Sequence, residues 1–485
     1  MRKNLMCTIL LAIFCLPMFA NNIALGTPTL TDENVTEGCI YVTFDVTWEN
    51  SWRLSSGASN WDAAWLFVKY RVGGVGEWRP AHLHNTGHIA GTGTAATITT
   101  GLVDENTAFD ASSNPGIGVF LNRSSAGTGT FTSTGLKLRW DYNAEGIAGG
   151  SGLEVRVFAI EMVRVLEGAF NIGGGGGTDA FTSTTISTAN ATTAPSGTGS
   201  LGGAAGGYPT GQTAPANASW PNGYAAFYCM KYEVSQQQYV EFLNTLTQTQ
   251  ATARKLNESS NRYAITGTAV GSYATTLPNV ACNFLGWADD AAYADWSGLR
   301  PMTELEFEKA CRGTQPAVSA ELAWGSANVA GSSYTLSNSG TSTEDIATNY
   351  STTAGNMNYS VTKVTISPGP IRVGIFAANT SNSGRVTAGA SYWGIMELSG
   401  NLWERDVTLY NATGRAFTGT QGDGLLSSNG DANTATWPGV DAVGSGTRGG
   451  GWDGNADNQR VSDRVIGYNS FTGRTASNGF RAVRR

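Results

Sequence analysis

Charge is scarce in this 485-residue chain: Asp, Glu, Lys and Arg make up 14% of it, against the usual quarter. The 37 acidic residues outnumber the 30 basic ones, for a formal charge of −7. That excludes a general nucleic-acid binder, which needs a basic face. Proline is low at 14, and the 63 glycines follow no three-residue period, so a collagen helix is excluded. Beyond residue 20 no apolar run reaches the ~20 residues of a transmembrane helix, so no membrane span is expected. Histidine is almost missing: His82, His84 and His88 are all there are. Of six cysteines, Cys7 and Cys15 lie in the first twenty residues, leaving Cys39, Cys229, Cys282 and Cys311. Four cysteines allow three pairings; Cys282–Cys311 is the most compact, and unpaired buried thiols are the alternative. What is plentiful is Gly and the aromatics, 10% of the chain with 14 Trp. Disordered chains are poor in aromatics, so the composition describes a loop-rich β protein.

Residues 1–20 read as a secretory signal. Arg2 and Lys3 precede the apolar run Leu5–Phe19, and Ala20 precedes a plausible cut. Residues 21–160 read as an all-β sandwich. Cys39–Trp48 alternates as a half-buried strand should, and Ala64–Arg71, Gly135–Tyr142 and Leu153–Ala159 are further strands between Gly-rich turns. Residues 173–223 are low in complexity and are read as a long surface loop. Three helices are expected after it. The first begins at the capping box Ser235–Gln238, with Val234 placed to staple onto Tyr239. The second covers about 286–297. The third begins at the box Thr303–Glu306, with Met302 stapling onto Phe307. Glu304, Glu306 and Glu308 are read as the solvated acidic start of that helix.

Several segments carry a family resemblance. They are Met162–Gly173, Met230-Lys-Tyr-Glu-Val-Ser through Leu243, Gly298-Leu-Arg-Pro-Met-Thr-Glu-Leu-Glu-Phe-Glu through Gly313, Gly400-Asn-Leu-Trp-Glu404, Arg448-Gly-Gly-Gly-Trp452 and Gly479-Phe-Arg481. In this order they resemble the formylglycine-generating-enzyme (sulfatase-modifying factor) family from about 161 to the last residue. The resemblance implies an α+β domain over 161–485 with much irregular loop, C-type-lectin-like in fold, preceded by the all-β sandwich. It also makes 173–223 an insertion, since the family pattern resumes beyond it.

In the family's enzymes, two cysteines near the C-terminus bind copper and oxidise a substrate cysteine; Cu(I) is soft and needs thiolates. This chain has no Cys after Cys311, and residues 453–463 offer Asp453, Asn455, Ala456, Asp457, Val461, Ser462 and Asp463 instead. No copper is therefore expected. The iron-dependent sulfoxide synthases of the same fold use histidines, and residues 161–485 contain none. His82 and His84 share a strand face, a geometry that metals use, but no acid lies close in sequence, so an exposed strand end is the reading. No Gly-x-Ser-x-Gly elbow or phosphate-binding loop stands out. The domain thus reads as a pseudoenzyme.

Two sites follow from the resemblance. A structural calcium site maps onto the side chains of Glu397 and Glu404 with the carbonyls of Gly400 and Leu402, hard oxygen ligands that suit Ca²⁺. The family's substrate groove, which is the ligand face of related lectin-fold receptors, maps onto Trp452, Asp453, Asn455, Asn458, Asp463, Tyr468, Asn469, Phe471 and Arg474. Amphipathic rings and short amides suit adaptable recognition. The function read from all this is a secreted, non-catalytic binding or surface protein, extracellular, cell-surface or periplasmic, with a glycan, peptide or protein ligand. Two alternatives stay open: a divergent metal-dependent oxidase, and a structural component of an extracellular layer or filament that self-associates through exposed strand edges.

Overall fold

The computed structural model describes residues 23–485 except 151, 190–214, 216–218, 366–367 and 469. The signal reading for 1–20, much of the 173–223 loop and candidate residue Asn469 fall outside the described residues.

The architecture is sheet-rich with few helices. A five-stranded sheet is built on β3 (Cys39–Arg53), which pairs with β1 (Ala24–Leu25), β2 (Thr29–Asn34) and β9 (Gly127–Trp140); β9 also pairs with β6 (Thr92–Gly93). The alternation read over Cys39–Trp48 is the inner half of β3. Val42, Phe44, Val46 and Trp48 point into a core shared with Leu66 and Val68 of β4 (Asp62–Val72) and Leu138 of β9. β4 belongs to a second, eight-stranded sheet. Its neighbours there are β5 (Arg79–Pro80), β8 (Gly116–Arg123), which pairs with β7 (Ala96–Leu102), and β10 (Leu153–Val165).

β10 is the element that joins the two regions. Leu153–Val163 pair with β4, and Met162–Val165 pair with β13 (Phe227–Met230), which continues the sheet through β22 (Ala482–Arg484) to β16 (Arg300–Pro301). Residue 160, expected as a domain limit, lies inside this strand, and one sheet holds residues from both sides of it. The alternation of β10 serves two cores: Val155, Val157 and Ala159 lean on the N-terminal one, and Phe158, Ile160 and Met162 on the large C-terminal one.

The C-terminal part adds short hairpins: β11 (Phe170–Ile172) with β12 (Thr184–Ile186), β14 (Ile265–Thr266) with β15 (Ala274–Thr275), and β17 (Thr335–Ser337) with β18 (Asp345–Thr348). A third sheet has β19 (Trp403–Val407) between β20 (Ser445–Arg448) and β21 (Asn478–Gly479). The three expected helices are α1 (Gln236–Leu243), α3 (Trp287–Trp296) and α4 (Glu304–Arg312); α2 (Gln248–Arg254), α5 (Ile375–Ala378) and α6 (Ala412–Arg415) are short additions. Ser235 and Thr303 close their capping boxes as read, each side chain accepting the N–H three residues on. Among the described residues, no helix is long and apolar enough to cross a membrane.

All four later cysteines are free, buried thiols. Cys282 packs in the core that holds α1 and α3, and Cys311 in the one behind β10, so the Cys282–Cys311 pairing is replaced by two separate apolar sites.

Candidate functional site

The acidic start of α4 is where the structure departs most from expectation. Glu304, Glu306 and Glu308 are buried, not solvated. Each is met by arginine. Arg300 grips Glu306 with two bonds of 2.8 and 2.6 Å. Arg448 bridges Glu304 at 3.2 Å and Glu308 at 3.0 Å, and Arg464 closes on Glu304 from the other side. Arg312 joins Glu308 at 3.0 Å to Glu321 at 2.5 Å. Burial alone raises the Glu304 carboxyl, but Arg464 and Arg448 override it and hold it below its usual range. Arg448 precedes the expected ligand face in sequence and Arg464 lies within it, between Asp463 and Tyr468, so this network ties that segment to α4.

Of the calcium reading, Glu397, Gly400 and Leu402 lie on the turn entering β19, where Glu397 and Asn401 both have positive φ (54° and 68°), and Glu404 lies in β19 itself. Glu404 has both oxygens bonded to Arg481 Nε at 2.7 Å. Glu397 accepts the Gly374 N–H on Oε1 at 2.8 Å, while its buried Oε2 has no partner. Burial pushes this carboxyl up to about 7, against the pull of Arg481. A third acid, Glu233, completes the cluster. It accepts the Leu402 N–H at 2.9 Å and the Asn401 amide, and burial together with Glu404 and Glu397 raises its carboxyl well above normal. The signal for Glu233 was present in Met230-Lys-Tyr-Glu-Val: an acid two residues from a lysine, in one of the segments that carry the resemblance. Of the two acids assigned to calcium, Glu397 fits a hard cation through its open oxygen. Glu404 does not, because its carboxylate is already neutralised by Arg481.

The eight described residues of the nine read as a ligand face separate into two kinds. Trp452 is only 6% exposed, packs on Val373 and Leu402, and donates its indole N–H to the Ala476 carbonyl at 2.9 Å. Asp463 is buried and accepts the Thr178 N–H at 2.9 Å and the Val465 N–H at 3.2 Å. Gly177, with φ +123°, lies so close that a Cβ there would stand 2.8 Å from the Asp463 Cα. Arg474 is clamped to Asp289 by bonds of 2.7 and 2.5 Å and reaches the Ala253 carbonyl at 2.8 Å. Asn455 caps a short 3₁₀ turn over Ala456–Gln459, and Asn458 returns a bond to its N–H. These five hold the loop in place. Asp453 is exposed beside them. Tyr468 and Phe471 are the apolar members that face solvent, 42% and 51% exposed, and no other aromatic is among the exposed large hydrophobic side chains of the described residues. Tyr468 rests on Tyr410 with ring centroids 5.4 Å apart. Arg405 donates to the Phe471 carbonyl at 2.6 Å.

The histidines are not an open strand end. His88 accepts the Arg139 N–H at 3.0 Å and meets the Thr100 hydroxyl at 3.1 Å. The fold brings acids that are remote in sequence: Glu145 lies 4.0 Å from His82, and Asp141 lies 3.9 Å from His84. Both separations are too long for hydrogen bonds. Burial lowers His82 and His88 to about 4, so both stay neutral at physiological pH. Among the described residues, no group of three His, Cys, Asp or Glu side chains is arranged to hold a metal. The Cys229 thiol is pushed up to about 12 by burial, which removes thiolate reactivity.

No curated protein matches the chain. Among solved structures the chain is similar to Treponema denticola variable protein 1 at 14% identity and a TM-score of 0.31, covering 68% of this chain and 96% of that one. The family described as "Sulfatase-modifying factor enzyme 1-like domain" matches residues 159–485, opening within β10 and running to the last residue. The chain belongs to the sulfatase-modifying factor enzyme 1-like family.

Proposed function

We propose that this protein is an exported, non-catalytic binding protein. In this reading an N-terminal sandwich, residues 21–160, carries a C-type-lectin-like domain, residues 161–485, whose face around Tyr468 and Phe471 takes a glycan, peptide or protein ligand. The observation that carries the reading is the pair of solvent-facing aromatic rings in a segment otherwise tied down by Asp463, Arg474 and the buried Arg448 and Arg464. Rigid rings on a fixed base lose little entropy on binding. The sequence supports the absence of oxidase chemistry: no Cys follows Cys311, and no His lies in the family domain.

The test is a screen of the mature protein on glycan and peptide arrays, followed by Tyr468→Ala and Phe471→Ala. Binding lost at least tenfold in both variants, with an unchanged melting curve, is the expected result. Ligands that bind both variants as well as the parent would overturn the assignment. The calcium proposal narrows to Glu397. Calcium should raise the melting temperature of the parent and leave Glu397→Gln unmoved. A parent indifferent to millimolar EDTA would end it. Elemental analysis showing stoichiometric copper or iron would overturn the non-catalytic reading.

A further inference from the structure

β10 is paired on both sides only at its C-terminal end. β4 covers one edge from Leu153 to Val163, whereas β13 reaches only Met162–Val165 on the other. The Arg164 N–H donates to Trp61 on the β4 side, and Lys231 donates to the Glu161 carbonyl on the β13 side, each at 2.9 Å. Even-numbered residues of β10 therefore bond to β4, and odd-numbered ones face away from it. Val155, Val157 and Ala159 thus present three N–H and three C=O groups to an edge where no described strand pairs and no described group bonds them.

This edge is sunk in a cleft of about 440 Å³. One wall is Ile23, Leu25 and Pro28 from the start of the described chain. The other is α1, through Val240 and Glu241, with Ala274 of β15 at the rim. Alternating donors and acceptors repeating every two residues match one common partner, an extended polypeptide backbone. Side chains of an incoming strand would alternate between the apolar wall and α1. On the α1 side Glu241 is held by the Gln237 amide at 3.1 Å. Burial raises its carboxyl, an effect that Gln237 and Arg156 only partly offset. Arg156 is turned toward Trp78, with its guanidinium 4.5 Å from the ring centroid, and bonds the Asn244 carbonyl at 3.3 Å. A cation beside Glu241 would favour its charged form.

We propose that this cleft binds one extended segment of a partner protein, which adds as a strand to the free edge of β10 at Val155–Ala159. The segment is apolar at alternate positions, facing Ile23 and Leu25, and carries a Lys or Arg on the intervening side, facing Glu241. The site is separate from the Tyr468 and Phe471 face, so either can fail without the other.

The probe is a randomised eight-residue peptide display library panned on the mature protein, with the best sequences remade as free peptides. The expected binders alternate apolar and polar residues with a basic residue among the latter. N-methylation of alternate peptide amides, in one register only, should abolish binding. Binding should slow hydrogen exchange at Val155, Val157 and Ala159 and should be unaffected by Tyr468→Ala. Val157→Pro removes an N–H that bonds to no described group and is tolerated at an edge; it should weaken binding at least tenfold. Ala274→Trp, at an exposed position on the cleft rim, should do the same by filling the cleft, and it decides the matter if the proline variant does not fold. A library that yields no binder, binders indifferent to Ala274→Trp, or edge amides protected in the free chain in proportion to its concentration (a second copy in the cleft) would each overturn the proposal.

Discussion

Between β3, β4, β8 and β9 the interior is built from Val42, Phe44, Leu66, Val119 and Leu138, with Trp48 stacked on Phe131 at 4.0 Å. Around α4 the interior is built from charge: Arg300, Arg312, Arg448 and Arg464 are buried at 2% exposure or less against four glutamates. The two interiors are equally dry but fail differently. An apolar core loses stability in proportion to the volume removed. A buried ion network loses it abruptly when one member leaves, because the partner is stranded without water or counter-charge. The region expected to present a ligand face is the one held by the abrupt kind.

The comparison breaks most visibly at Arg448, which serves both Glu304 and Glu308. Arg448→Met should lower stability by roughly 3–5 kcal/mol, read by chemical denaturation, and the loss should shrink at low pH as the stranded carboxyls take up protons. Leu138→Ala in the apolar core should cost roughly 2–5 kcal/mol with no pH dependence. If both variants show the same pH profile, the contrast between the two interiors is wrong.

Glu397 sharpens the comparison. Folding raises its carboxyl from an ordinary 4.5 to about 7. The folded state therefore holds that proton to higher pH, and stability falls as pH rises from about 4.5 to about 7. In calcium-free buffer Glu397→Gln should be more stable than the parent at pH 8 and should lose that advantage near pH 4.5. Glu304 runs the opposite way: its lowered carboxyl supplies stability above its unfolded range that is lost as pH falls through the folded value. Glu304→Gln should therefore destabilise at pH 8 and converge toward the parent in acid. The smallest effect belongs to the surface. Tyr468→Ala and Phe471→Ala should change stability by less than about 0.5 kcal/mol, measured by thermal melting.

Periodicity made β3, β4 and β10 legible, and local caps made α1 and α4 legible, because both signals rest on neighbours within a few residues. The same locality misled at Glu304–Glu308. An acidic first turn looks solvated unless one knows that Arg448 and Arg464, some 150 residues on, will be folded against it. Arg474 looked like a ligand-facing cation for the same reason; its partner Asp289 belongs to α3. Trp452 belonged to a recognisable motif, yet that gave no sign that its ring would close onto Val373 and Leu402.

Residue identity and short spacing carry the strands β3, β4 and β10, the caps of α1 and α4, the family and the positions where thiols and imidazoles are lacking. Long-range contacts decided which acids are dry, which arginines neutralise them, that one sheet runs through residue 160, and that no described strand covers one edge of β10 at 155–159. Burial and pairing depend on contacts between residues far apart in the chain, and no local pattern encodes those.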